Sequence, residues 1–409
     1  MRKLSVIIAC LFIITLGTAV GAQNELTAKP YGFILSNLQY NNNVNADIPT
    51  VAALTDSTKN LLLTARQTRL GLNLSMEEAG WKIAGKAEID FWGLRGSGKN
   101  GGSMQAAPRL RLAYFTMTKQ KVTLLFGQDW TCFAPLSPET DAHVSIPGFS
   151  SSGNLWNRMP QIRFEYKNAT EKQTFLAQLA LVRPLASDQD PAAKYGQTEL
   201  MGAGELNGLP FAQGRFAFGT PNVTVGVSGH FGQEDFEVAL NDTTYEDKTT
   251  TYAAALDFKA GSPVVTFMGE GFYGANLISL FSNASYFKDT WSSTTGVKNE
   301  PVKVMGGWAT LGVKPPNSKV SFNGGAGMEI LDEEQVDSTA THDTGTAKLS
   351  KNFTVFGNMF YAPVSKVRFG IEVGYIKTTY KKYVTTPSAA IIEDDGDNLS
   401  VNFSSKFSF

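Results

Sequence analysis

The C-terminal stretch Leu399-Ser400-Val401-Asn402-Phe403-Ser404-Ser405-Lys406-Phe407-Ser408-Phe409 decides the fold. In an extended strand successive side chains point to opposite faces. Leu399, Val401, Phe403, Phe407 and Phe409 therefore share one face, and Ser400, Asn402, Ser404, Lys406 and Ser408 share the other. Strands that end an outer-membrane barrel commonly close on an aromatic residue, and this chain ends on Phe409.

The same period of two recurs upstream. Val367, Phe369, Ile371, Val373 and Tyr375 stand opposite Arg368, Gly370, Glu372 and Gly374. Ile162, Phe164 and Tyr166 stand opposite Gln161, Arg163 and Glu165, and Leu110, Leu112 and Tyr114 opposite Arg109, Arg111 and Ala113. Sixteen stretches read this way: 29–41, 61–76, 81–93, 108–119, 121–131, 159–168, 172–184, 209–220, 221–236, 249–261, 263–277, 302–315, 318–331, 348–364, 366–382 and 397–409. Each reaches the ~9–11 residues that a tilted strand needs to cross a bilayer. Their connections alternate between short turns, such as those at Gly80 and at Pro315-Pro316-Asn317-Ser318, and long polar segments: 42–60, 94–107, 132–158, 185–208, 237–248, 278–301, 332–347 and 383–396. Short turns at the periplasm and long loops outside are the arrangement of a bacterial outer-membrane barrel. The expected fold is all-β: one transmembrane antiparallel β-barrel of about sixteen strands over residues 23–409. A secreted sandwich, solenoid or propeller would show internal repeats or strands of only ~5–6 residues, and neither is seen.

Residues 1–22 read as a signal peptide. Arg2 and Lys3 precede the apolar run Val6–Leu16, and Val20-Gly21-Ala22 supplies the small residues of a cleavage site. The run is too short for a membrane helix of ~20 residues. Ile7-Ile8-Ala9-Cys10 resembles a lipoprotein site, but too few apolar residues precede Cys10. Cleavage near Ala22 leaves Cys132 as the one cysteine, so no internal disulfide is expected. With 36 Lys and Arg against 37 Asp and Glu, nothing suggests nucleic acid. The apolar fraction of 42% and mean hydropathy of −0.13 look soluble, but a transmembrane barrel is polar on its inner face.

Charged side chains on strands belong to that inner face, because lipid at mid-depth costs a charge roughly 2–4 kcal/mol. They are Arg69, Lys82, Lys86, Glu88, Asp90, Arg109, Arg111, Arg163, Glu165, Arg183, Arg215, Arg368 and Glu372. Arg69, Arg109, Arg111 and Arg163 fall on strands expected to be neighbours. A file of guanidinium groups there would attract anions; equally, Glu88, Asp90 and Glu165 could neutralise it in a salt-bridge network. Segment 132–158, with Glu139, Asp141, His143, Asn154, Trp156 and Arg158, is the loop expected to fold inward and narrow a channel. Its acids, facing wall arginines, would set a transverse field; the alternative is an ordinary surface loop.

Nothing points to catalysis, metal or cofactor. There is no Gly-x-Ser-x-Gly elbow, no His-x-x-x-His and no cysteine pair, and the three histidines, His143, His230 and His342, form no triad pattern.

Five pieces carry a family likeness: Arg66-Gln67-Thr68-Arg69-Leu70-Gly71, Lys86-Ala87-Glu88-Ile89-Asp90-Phe91-Trp92-Gly93, Pro108-Arg109-Leu110-Arg111-Leu112-Ala113-Tyr114, Leu125-Phe126-Gly127-Gln128-Asp129-Trp130-Thr131 and Pro160-Gln161-Ile162-Arg163-Phe164. In their order and spacing the chain resembles the DcaP-like trimeric porins. The resemblance implies a sixteen-stranded barrel, a homotrimer and passage of small anionic solutes such as dicarboxylates. It makes Arg69, Arg109, Arg111 and Arg163 the leading pore residues, with Lys86, Asp129, Glu139 and Asp141 completing the expected constriction. Some relatives carry a helical N-terminal stalk; here the first strand follows the leader directly, so the trimer would rest on barrel contacts. The expected partners are outer-membrane lipid and lipopolysaccharide. The expected function is passive diffusion of small hydrophilic solutes, with a non-conducting barrel acting as adhesin or scaffold through loops 185–208 and 278–301 as the alternative.

Overall fold

The structure is a computed structural model. It describes residues 25–43, 48–54, 59–93, 106–185, 189–190, 201–240, 243–284, 286–288, 299–342, 346–385 and 389–409. The leader at 1–22 lies outside them, as do most of loops 94–107 and 185–208 and part of loop 278–301.

Sixteen strands close into one antiparallel barrel. In chain order they are β1 Thr27–Asn41, β2 in two segments, Asn60–Thr64 and Arg69–Glu78, β3 Trp81–Gly93, β4 Ala107–Lys119, β5 Val122–Trp130, β6 Arg158–Ala169, β7 Thr174–Val182 and β8 Phe211–Gly219. There follow β9 Val223–Leu240, β10 Thr243–Gly261, β11 Val265–Ala275, β12 Lys303–Val313, β13 Val320–Leu331, β14 Lys348–Val364, β15 Val367–Val384 and β16 Ala390–Ser408. Each pairs with its chain neighbours, and β16 returns to β1 through a register running from Phe33↔Ser408 to Asn41↔Ser400. No sheet edge is left, which is what hydrocarbon demands of a spanning backbone.

The barrel is inside-out. Leu61, Leu63, Ile162, Leu179, Phe216, Leu256, Met305 and Phe403 are exposed on the outer wall, while Asn37, Gln161, Gln213, Asn352, Asn358 and Asn402 are buried inside. Tight turns link strands at one end. Between Glu78 and Trp81, Ala79 and Gly80 both have positive φ (50° and 77°), the primed-turn geometry that matches strand twist.

Four local departures from simple alternation bear on the lumen. First, β2 is not continuous: residues 65–68 leave the ladder, and the Thr68 hydroxyl accepts the Leu35 amide at 3.1 Å in its place. The break swings Gln67 into the interior. Second, Arg111 is the extra residue of a β-bulge, since Glu88 pairs with Leu112 and Ile89 with Leu110. The bulge resets the alternation, so Leu110 is exposed to lipid while Leu112 is buried inside, contrary to the shared face expected for them. Third, β9 and β10 stay paired to Leu240↔Thr243, through the expected loop 237–248; its threonines and Tyr245 suit a strand. β16 likewise starts at Ala390, with Lys381 opposite Glu393 and Lys377 opposite Asp397. Fourth, loop 332–347 holds a helix, α1 Glu333–His342, with Val336 and Ala340 buried.

Candidate constriction in the barrel lumen

Segment 132–158 folds into the barrel, and its path can be followed by its contacts. The Ala134 amide donates to Ser228 Oγ of β9 at 3.2 Å, and the Leu136 amide to Glu270 of β11 at 2.7 Å. Asn358 of β14 donates to the Glu139 carbonyl at 2.9 Å, and Thr140 donates to Glu372 of β15 at 2.7 Å. The segment then runs on past β16 and β1 to the break in β2. There Gln67 donates to the Ala142 carbonyl at 2.9 Å and accepts the amides of Val144 and Ser145, each at 2.8 Å. It returns to β12–β14, where Phe149 packs on Trp308 and Phe356 and Asn352 donates to the Ser151 carbonyl at 2.7 Å. Gly153, at φ +101°, lies so near β12 that a Cβ there would sit 2.3 Å from the Gly307 carbonyl oxygen.

At the loop end the lumen is partly filled by an apolar cluster. Phe133, Leu155, Met159, Phe211, Phe272, Leu277, Leu280, Leu331 and Val336 pack together there. The water-accessible path is therefore confined by both the segment and this cluster.

Arg69, Arg109, Arg111 and Arg163 lie on one wall, on β2, β4 and β6. Each is paired. Arg109 makes a two-pronged contact with Asp90, at 3.0 Å from Nε and 2.7 Å from Nη2. Arg111 is fully buried and donates to Glu88 at 2.9 Å and to Asp90 at 2.7 Å. Arg69 lies 3.4 Å from Glu88. Arg163 donates to Asp129 at 2.9 Å. Glu88 and Asp90 sit on β3, between β2 and β4, with Asp90 in register with Arg109. Adjacent strands thus neutralise these guanidinium groups before any loop acid can reach them. Of the expected network acids, Glu88 and Asp90 take part, whereas Glu165 accepts from Gln178 at 2.7 Å. Lys86 stands over the Tyr31 ring, 4.9 Å from its centroid.

The loop acids face Arg368, a wall arginine outside the file of four. Asp141, buried, accepts from Arg368 of β15 at 2.9 and 2.6 Å and from Lys406 of β16 at 3.2 Å. Glu139 also pairs with Arg368. Toward the arginine wall the segment presents carbonyls instead: Val144 to Arg69 and Ser145 to Arg109, both at 3.2 Å. The four arginines of the file are already occupied by Glu88, Asp90 and Asp129. Arg158 lies between Trp130 and Trp156, at 5.0 and 5.3 Å from their centroids.

Gln67, Asn352 and Lys406 were not singled out by sequence reasoning. Glutamine and asparagine at inward positions of a barrel strand are ordinary, and only the segment's docking distinguishes these two. His143, on the inserted segment, is half-buried with its Nδ1 atom shielded and unpartnered, and this desolvation pushes its imidazole down to about 4.

Below the segment, toward the turn end, lies a cavity of about 610 Å³ bounded by Glu139 and Arg368 and by β10 to β15. Among the described residues no cluster of His, Cys, Asp and Glu could hold a metal ion.

No protein-family model and no curated protein matches this chain. Solved structures do. The outer membrane channel DcaP of Acinetobacter baumannii superposes with a TM-score of 0.67 at 19% identity, over 96% of this chain and 99% of that one. OmpT, an outer membrane protein of Vibrio cholerae solved in a trimer form, gives 0.54 at 12% identity, over 94% and 99%. An anion-selective porin from Comamonas acidovorans gives 0.56 at 11% identity, over 94% and 100%. With its closed sixteen-stranded barrel, apolar outer wall and inserted segment, the chain has the fold of the outer-membrane porins.

Proposed function

We propose that this protein is a passive diffusion porin of the outer membrane, carrying small hydrophilic solutes with a preference for anions. One observation carries the reading: a barrel with a lipid-compatible exterior holds in its lumen a 27-residue segment, 132–158, tied to both walls by side-chain hydrogen bonds. A segment fixed in this way narrows a water-filled path without opening and closing it. That is the design of a size filter.

The anion preference takes support from Lys259, Lys314 and Lys319, which line the cavity below the segment, and from the neighbour described as anion-selective. Assembly as a homotrimer takes support from the neighbour solved in a trimer form. The reading includes export by a leader ending near Ala22, a single barrel domain over 23–409, contact with lipid and lipopolysaccharide, and no enzymatic role.

Liposome swelling tests it. Proteoliposomes should swell in small sugars and carboxylates at rates falling steeply with solute size. Folded protein that admits no solute would instead identify a non-conducting barrel acting through its outer loops.

A further inference from the structure

Arg69, Arg109, Arg111 and Arg163 are each matched by a carboxylate within the wall, which weakens their pull on a passing solute. The uncompensated charge lies elsewhere. Lys259 on β10 shares the inward side of its strand with Asp257, which is already bound to Arg215 at 2.6 Å. Lys314 and Lys319 flank the β12–β13 turn. All three lysines line the 610 Å³ cavity at the turn end together with Arg368 and Glu139. Among the described residues no carboxylate lies within ion-pair distance of Lys259, Lys314 or Lys319. Thr266, Thr310 and Asn323 line the same space and add neutral hydrogen-bonding groups.

We propose that this cavity is a binding station for a small multivalent oxyanion of the phosphate, sulfate or polycarboxylate type. The inference rests on the porin reading for its physiological meaning, not for its chemistry. Three ammonium groups around one concave pocket focus the field on its contents, and the acid that lines it with them, Glu139, is occupied by Arg368. Divalent and trivalent anions gain from several lysines at once, whereas chloride gains from one at a time. The station sits below the inserted segment, so it would hold an anion that has passed the constriction and raise the local concentration at the periplasmic exit.

The test uses the full-length protein and a Lys259→Ser/Lys314→Ser/Lys319→Ser variant, with inorganic phosphate as probe. In phosphatidylcholine bilayers, phosphate added on the turn side should reduce chloride current through the wild type and not through the variant. The variant's chloride-to-potassium permeability ratio should fall by about twofold or more. Calorimetry in detergent, where no lipid headgroup is present, should show phosphate binding to the wild type that the variant loses. Equal phosphate binding by both proteins, or none by either, would overturn the station. Binding that depends on the lysines in a protein without conductance steps would uphold the station while removing the porin reading.

Discussion

Asp141, on a segment inserted into the barrel, accepts both prongs of the Arg368 guanidinium at 2.9 and 2.6 Å, although 227 residues separate them in sequence. Lys406 adds a third contact to the same carboxylate at 3.2 Å. This buried cluster clamps the segment to β15 and β16. Replacing Asp141 by Ala strands Lys406 and leaves Arg368 with Glu139 alone, and breaking a buried pair costs about 3–5 kcal/mol. The variant should unfold at lower urea concentration in detergent, and its single-channel current should be noisier. An unchanged urea midpoint would show that the clamp contributes little.

Gln67, in the break of β2, is the next anchor along the segment. Its amide donates to Asn37 and to the Ala142 carbonyl and accepts two segment amides. At about 0.5–1.5 kcal/mol for each bond, Gln67→Ala should weaken the docking by roughly 3 kcal/mol. Limited proteolysis should then cut within 142–146, a region the native barrel protects. Gln67→Glu retains the acceptors and should protect partially.

Gly153 is the position least able to accept a side chain. A non-glycine residue in strained backbone costs about 1–3 kcal/mol, and the Cβ would meet the Gly307 carbonyl at 2.3 Å. Gly153→Ala should push the segment off β12 and raise conductance. Conductance equal to that of the wild type would mean that the segment yields there without widening the path.

His143 makes the docking sensitive to acid. Its folded value of about 4 lies below the ~6.5 of an unfolded histidine. Between those values the unfolded chain holds the extra proton, so stability rises with pH across that window and falls as pH drops through it. Thermal midpoints measured from pH 7 to pH 4 should decline, and His143→Asn should flatten the part of the decline due to this group. A parallel decline in the variant would assign the acid sensitivity to other groups.

Much of the fold is legible in the sequence because lipid and water impose opposite demands on adjacent residues. Ile162 and Phe164 against Gln161 and Arg163 leave little choice of face. The Arg111 bulge is hidden, since Arg109-Leu110-Arg111-Leu112 alternates perfectly as written. Only pairing with Glu88 and Ile89 reveals the slip. The clustering of the four arginines follows from their being on near-neighbour strands, and so does their neutralisation by Glu88 and Asp90. The Asp141–Arg368 clamp joins a loop to the tenth strand after it, and no local pattern encodes it. Lys314 and Lys319 read as ordinary turn-flanking lysines until closure of the barrel places them around one cavity with Lys259.

Planar-bilayer recording of the purified, folded wild-type protein tests the central claim most directly. A fixed, segment-narrowed porin should insert with discrete conductance steps of uniform size that stay open across moderate voltages, and removal of the clamp in Asp141→Ala should broaden them. Folded barrels that enter the bilayer and give no steps would contradict it.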